Sequence, residues 1–164
     1  MKIIDDFLSP KEFNILQNHL FSSYFPWHYV PFVNNNDDPA DVVSTRYFEH
    51  NFYNRGKSEY FHIIRPMVHR LGIDYLYRAK ANLVPSTEKM YHHAFHVDQH
   101  FKHNGAILYM NTCDGGTIFP DGTKVQSIEN RCLLFDSSRE HASTTCTDAK
   151  ARVNINVNYR TDEL

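Results

Sequence analysis

No apolar run in this chain approaches the roughly 20 residues that a membrane-spanning helix needs. Met1-Lys2 leads straight into Ile3-Ile4, without the apolar stretch of a secretory leader, so a soluble, cytoplasmic protein is expected. Cysteine is scarce: Cys113, Cys132 and Cys146 are odd in number and lack the close pairing of a zinc or redox motif. That argues against a disulfide scaffold and for a reducing compartment. An excess of one charge is missing too, with 17 basic against 19 acidic residues, so the balance announces neither a nucleic acid nor an anionic membrane as partner. Internal repeats and low-complexity tracts are absent. Asp162-Glu163-Leu164 resembles an endoplasmic-reticulum retention signal, which has meaning only in a secreted chain.

What is present is enough apolar surface for one folded domain over residues 1–164, with 41% hydrophobic and 14% aromatic residues. The chain divides into a helical N-terminal part, about 1–72, and a β-rich core, about 73–160. Lys2 to Phe7 reads as a strand. Ser9-Pro10-Lys11-Glu12 then starts a helix, with Ser9 as N-cap, Pro10 at N1 and Glu12 completing a capping box; Phe13, Leu16 and Leu20 follow at helical spacing. Between Pro26 and Ala40, prolines and the Asn34-Asn35-Asn36 run mark a long loop. Phe61, Ile64, Val68 and Leu71 predict a second helix over 57–71, stopped by Gly72 and shortened or kinked by Pro66.

From Ile73 onward the pattern turns to short β-type runs: 73–84, 90–97, 105–112, 117–119, 124–128, 132–136, 141–145 and 152–159. Asp114-Gly115-Gly116 and Pro120-Asp121-Gly122 supply turn residues that tolerate positive φ. The expected fold is mainly β with flanking helices: a double-stranded β-helix, or jelly roll, with the N-terminal helices packed outside and a ligand site inside.

Within that core, His96-Val97-Asp98 places two metal-binding side chains two positions apart, on one face of a strand. His141 follows the apolar run Cys132-Leu133-Leu134-Phe135, which carries it into the same interior. Two histidines and one carboxylate fill three coordination positions and leave the others for a chelating cosubstrate and dioxygen, as non-haem iron(II) chemistry requires. With 11 histidines in the chain, His-x-Asp alone is weak, and its surroundings must carry the inference. Arg152 lies eleven residues after His141, one turn and one strand later, where it can enter the barrel and fork onto a carboxylate. In its strand Val153, Ile155, Val157 and Tyr159 alternate with Arg152, Asn154, Asn156 and Asn158; taken alone, such a strand has a solvated polar face, but beside the triad we read that face as inward.

These residues resemble the motif of the 2-oxoglutarate/iron(II) dioxygenase superfamily: His-x-Asp, a distal histidine and a basic residue about ten positions beyond it. Gly105-Ala-Ile-Leu-Tyr-Met-Asn111 followed by Gly115-Gly116-Thr117-Ile-Phe119 is similar to the strand and Gly-Gly-Thr turn of its prolyl-4-hydroxylase-like branch. The likeness runs from about Arg78 to Tyr159, and Ile3-Ile4-Asp5-Asp6-Phe7-Leu8-Ser9 is loosely similar to the strand-to-helix start of such enzymes. The resemblance implies that His96, Asp98 and His141 bind Fe(II) and act in catalysis, and that Arg152 pairs with the far carboxylate of 2-oxoglutarate. Asn82, Asn154, Tyr91 and Tyr109 are the further cosubstrate candidates it suggests. Asp98 itself separates the chain from halogenating members, which lack this carboxylate, so hydroxylation with release of succinate and CO2 is the implied outcome.

The same likeness favours a peptide or protein side chain such as proline as substrate, with the loop at 31–41 able to close over it. A small-molecule substrate is the alternative within that chemistry. His92, His93, His100 and His103 flank the ligands and read as supporting or surface residues. A nucleic-acid dealkylase stands second, since the basic footprint such binding needs is missing. A cupin-like metallohydrolase or isomerase would leave Arg152 without a task, and a pure binding module would not need the triad.

Overall fold

The computed structural model describes residues 1–31 and 46–161. The expected loop is therefore described only as far as Pro31; its remainder, and Asp162-Glu163-Leu164, lie outside the described residues. Among those residues two antiparallel sheets face each other as a jelly roll. The larger holds β1 (Lys2–Ile4), β2 (His28–Val30), β3 (Tyr47–Asn54), β4 (Tyr75–Pro85), β5 (Asn104–Tyr109), β8 (Cys132–Asp136) and β10 (Ala151–Arg160) in the order β1-β8-β5-β10-β4-β3-β2. The smaller holds β6 (Gly116–Ile118), β7 (Lys124–Gln126) and β9 (Ala142–Ser143) in the order β7-β6-β9.

The N-terminal helix α1 (Pro10–Leu20) forms as its sequence dictates. Ser9 accepts from the Glu12 amide while the Glu12 carboxylate accepts from the Ser9 amide, and Pro10 sits where its missing N–H costs nothing. Phe13, Leu16 and Leu20 are buried against Ala79, Ala81, Ala106, Leu108, Val153, Ile155 and Val157, on the outer face of the large sheet. Each buried leucine contributes about 1.5–3 kcal/mol. No described helix is long and apolar enough to cross a membrane.

Several expected elements differ. The helix over 57–71 is a 3-10 turn, Glu59–Ile64, followed by the short helix Arg65–Arg70, because an α-helix running through Pro66 would lose a hydrogen bond and set its ring against an upstream carbonyl. Gly72 ends it at φ +61°. Strands β2 and β3 were not expected; in β3 a register shift between Asn51 and Tyr53 breaks the period-two signal. The N-terminal part thus supplies three strands as well as helices. Residues 90–97 form no continuous strand. They bridge β9 and its flanks only at His92–Thr144 and His96–His141, four residues apart on one side and three on the other, so a bulge interrupts the ladder.

Strand β10 positions the interior. Val153, Ile155, Val157 and Tyr159 join the core beneath α1, while Arg152, Asn154, Asn156 and Asn158 are buried too, on the face toward the small sheet. Register sets Val84, Asn82, Lys80 and Arg78 of β4 beside those four in turn. Both faces of this central strand are therefore covered, and its polar face is not solvated.

Candidate metal centre

His96 and His141 exchange backbone hydrogen bonds, each amide donating to the other's carbonyl at 3.0 Å. That pairing sets their imidazoles side by side with ring centroids 4.7 Å apart. Two residues on, in a bend, the Asp98 amide donates to Ser137 O at 3.2 Å, which turns the carboxylate back toward the histidines. The bulge and this bend bring His96 and Asp98 together, rather than the regular strand alternation expected. One ligand atom from each of His96, Asp98 and His141 lies within 4.8 Å of the other two.

The nitrogens are poised for a cation. His141 Nδ1 faces Arg139 O at 2.9 Å and His96 Nδ1 faces Ala94 O at 3.4 Å, an arrangement that keeps the proton on Nδ1 and frees Nε2. Burial, reinforced by the neighbouring His141, lowers the proton affinity of His96 and so favours the neutral ring a metal requires. At Asp98 burial opposes the charged form, but Arg78, His141 and hydrogen bonds from Ser137 and Asn158 outweigh it and hold the carboxyl well below its ordinary range.

Four side chains cage that carboxylate. Arg78 Nη2 donates to Oδ1 at 2.6 Å; Ser137 Oγ, Asn158 Nδ2 and Asn156 Nδ2 donate to Oδ2 at 2.5, 2.8 and 3.3 Å. His103 Nε2 meets Asn158 Nδ2 at 3.4 Å, which ties the cage to the loop between Asp98 and β5. Gly105 makes room for it, since a Cβ there would lie 2.6 Å from the Ser137 Cβ. Sequence alone sets Asn156 and Asn158 on the inward face of β10 and His103 among the supporting or surface residues, but it singles out neither Arg78 nor Ser137, although Arg78 and Lys80 alternate on β4 just as the asparagines do on β10.

A cavity of about 580 Å³ opens onto the triad, and Arg152, Asn82 and Asn154 line it. Arg152 is 1% exposed, and its Nε donates to Thr144 O at 2.8 Å. Among the described residues no carboxylate comes within ion-pair distance of it. The Gly115-Gly116 turn makes this possible. A Cβ on Gly115 would lie 2.5 Å from Thr145 O and 3.0 Å from Arg152 Cδ, and one on Gly116 would strike Val125 O. Neither glycine adopts positive φ; Gly122 in the next turn does, at +85°. Close approach, not handedness, is what the pair provides.

The other candidates divide. Asn82 Nδ2 donates to Asn154 Oδ1 at 3.0 Å, so the two form one pair on the cavity wall. Tyr109 is buried, and its hydroxyl donates to Thr117 Oγ1 at 2.8 Å, with Thr117 between it and the cavity; burial pushes its pKa up to about 12. Tyr91 is 39% exposed and lies outside the cavity wall. His100 stands exposed on that wall, whereas His93 is buried against Ser143.

No protein-family profile matches the chain, and no curated protein matches it in sequence. Solved structures do. A prolyl-4-hydroxylase from Pseudomonas putida superposes with a TM-score of 0.61 at 14% identity over 97% of this chain and 91% of that one. A prolyl hydroxylase from Trichoplax adhaerens, in complex with a hypoxia inducible factor oxygen degradation domain peptide fragment, gives 0.64 at 16% identity over 96% and 82%. A 2OG-Fe(II) oxygenase family protein from Burkholderia pseudomallei gives 0.62 at 13% over 91% and 77%. The chain thus has the prolyl-4-hydroxylase-like fold of the 2OG-Fe(II) oxygenases.

Proposed function

We propose that residues 1–164 form a single catalytic domain, an Fe(II)- and 2-oxoglutarate-dependent dioxygenase that hydroxylates a peptide or protein side chain. The observation that carries this reading is the joint presence, on one cavity, of three convergent ligands and a buried arginine that no carboxylate of the described chain satisfies. The donor set fits the ion: two neutral imidazoles and one carboxylate suit iron(II) and leave coordination positions open. Arg152 fits the cosubstrate, a dicarboxylate whose distal group a guanidinium can grip with two parallel hydrogen bonds.

In this reading His96, Asp98 and His141 hold the metal, and Arg152, with Asn82 and Asn154 beside it, receives 2-oxoglutarate. Once bound, iron and 2-oxoglutarate supply the oxidant that places one oxygen atom of O2 into a substrate C–H bond and the other into succinate, with loss of CO2. The chain's own part is positional. The cage of Arg78, Ser137, Asn158 and Asn156 keeps Asp98 ionised and fixed, and the carbonyls of Ala94 and Arg139 orient the imidazoles. A peptide substrate is the class that the Trichoplax neighbour binds, and prolyl is the residue named for two of the neighbours. Three free, buried cysteines support a reducing, cytoplasmic setting.

The test is an anaerobic titration of the purified protein with iron(II) and 2-oxoglutarate, reading the weak visible charge-transfer band of an iron-chelated keto acid. A band in the wild type that disappears in His96→Ala is the expected result. No band, with tight zinc binding instead, would turn the assignment toward a metallohydrolase.

A further inference from the structure

Two cations on the cavity wall, Arg78 paired with Asp98 and Lys80 paired with Glu49, each keep a donor that the oxygenase reading does not use. Arg78 and Lys80 stand two residues apart on β4, so their side chains leave the same face of the strand, beside Asn158 and Asn156 of β10. Both line the cavity, with side chains 24% and 15% exposed. Arg78 uses Nε on Asn158 Oδ1 and Nη2 on Asp98 Oδ1. Lys80 Nζ donates to Tyr47 Oη and Glu49 Oε2 at 3.2 and 3.1 Å. The second terminal nitrogen of Arg78 and the third N–H of Lys80 have no protein acceptor among the described residues.

The carboxylates that already pair with the two cations do not reach these remaining donors. Asp98 is the metal's ligand, Glu140 stands exposed at the rim, and Glu49 already accepts from Tyr47, Asn51 and Lys80. Iron(II) and the 2-oxoglutarate dianion cancel in charge, and the dianion is engaged by Arg152. A prolyl ring closing over Arg78 and Lys80 would shut their N–H groups off from water and offer them no acceptor, a loss that specific sites avoid. A carboxylate has two oxygens to give, and the pair of donors matches it.

We propose that Arg78 and Lys80 form an anion subsite for the primary substrate, and that the residue presented to the metal is an aspartyl or glutamyl side chain of a peptide rather than a prolyl ring. The proposal rests on the oxygenase reading and names its substrate. The reaction then breaks a C–H bond of the acidic side chain and forms C–OH. One atom of O2 enters the hydroxyl and the other enters succinate, as 2-oxoglutarate is oxidised with release of CO2.

The experiment is calorimetric titration, under nitrogen with iron(II) and 2-oxoglutarate present, of otherwise identical peptides centred on Asp, Glu, Asn, Gln or Pro. One acidic peptide is expected to bind at least about ten-fold tighter than its amide counterpart and the prolyl peptide, about 1.4 kcal/mol. Lys80→Met alone would strand the Glu49 carboxylate, so the discriminating variant is Lys80→Met/Glu49→Gln. It should shrink the preference to within about two-fold while the keto-acid band and its 2-oxoglutarate dependence stay as in the wild type. Equal binding of acid and amide overturns the subsite and leaves the oxygenase reading in place, and so does a loss of 2-oxoglutarate affinity in the double variant. An acid preference without any keto-acid band keeps the subsite and removes the oxygenase reading. Free aspartate and N-acetylaspartate are run alongside: binding as tight as the peptide's makes the ligand a small acid, with the carboxylate recognition upheld.

Discussion

Arg152 donates one hydrogen bond to a carbonyl and is otherwise enclosed, an expensive arrangement for a guanidinium unless a ligand completes it. Arg152→Ala is therefore expected to raise the Kd for 2-oxoglutarate about 10- to 100-fold, the worth of a charge-assisted pair at about 1.5–3 kcal/mol, with iron binding little changed. The titration of the keto-acid band checks it, and an unaltered Kd would remove Arg152 from the cosubstrate site. Asp98→Ala removes a ligand and releases Arg78, Ser137 and Asn158 from their shared acceptor. Loss of the band and of succinate formation is expected, and a variant that retained both would exclude Asp98 from the metal site. At this scale His-x-Asp is legible from two ligand types two positions apart, whereas His141, 45 residues after His96, and Arg152 are read from the apolar runs beside them and the resemblance of the whole motif. Arg78 and Ser137 are not legible, because only the folded chain brings positions 20 and 39 residues away onto one carboxylate.

The Gly115-Gly116 turn lets the small sheet close over Arg152, and no larger residue fits there. Gly115→Ala is expected to push against Arg152 and the Thr145 carbonyl, lowering stability by about 1–3 kcal/mol and weakening 2-oxoglutarate as well. Thermal denaturation read beside the cosubstrate titration separates this from a plain loss of stability. A second prediction concerns β3. His50 is buried among Phe25, Phe52 and Tyr60, with Nδ1 facing Pro26 O at 3.1 Å and Nε2 facing Ser58 Oγ at 3.2 Å. Burial lowers its proton affinity more than the Pro26 carbonyl raises it. The unfolded chain then binds the proton more readily, so the contribution to stability is full above the unfolded value of about 6.5 and is lost as pH falls through the lower folded one. The Tm of metal-free protein should drop between pH 7 and pH 5, and His50→Leu should make that slope shallower. An unchanged slope would mean that His50 is not among the responsible groups. The element signals explain what was read and what was missed. A capping box and an i, i+3, i+4 apolar pattern announce α1 from adjacent residues, whereas the register shift in β3 erases the period on which strand reading depends, and 90–97, which carries a strand pattern, is broken by a bulge that sequence does not show.

As a whole, the molecule is two sheets whose facing surfaces carry the polar site beside a small apolar cluster of Ile107, Tyr109, Val125, Leu133 and Phe135, with the principal apolar core on the far side of the large sheet, under α1 and the 3-10 turn. Ligands that bind only the folded cavity should therefore stabilise everything at once. Iron(II) with 2-oxoglutarate, each at about 100 times its Kd, is expected to add at least about 2.7 kcal/mol and raise the Tm by roughly 5–10 °C, measured anaerobically. Either ligand alone should give less, and no shift with both would contradict a shared site. By itself the sequence determined the fold class and the capped helix, because composition, period and short-range spacing carry that information, and it nominated His96, Asp98, His141 and Arg152 as site candidates; of the strands expected after residue 73, the one over 90–97 does not form. Only the tertiary structure decided that Asp98 lies in a four-donor cage and that Arg78 and Lys80 share the cavity with Arg152. Those facts depend on which strands pair and in what register, and pairing between positions 66 to 85 residues apart leaves no local trace in the chain.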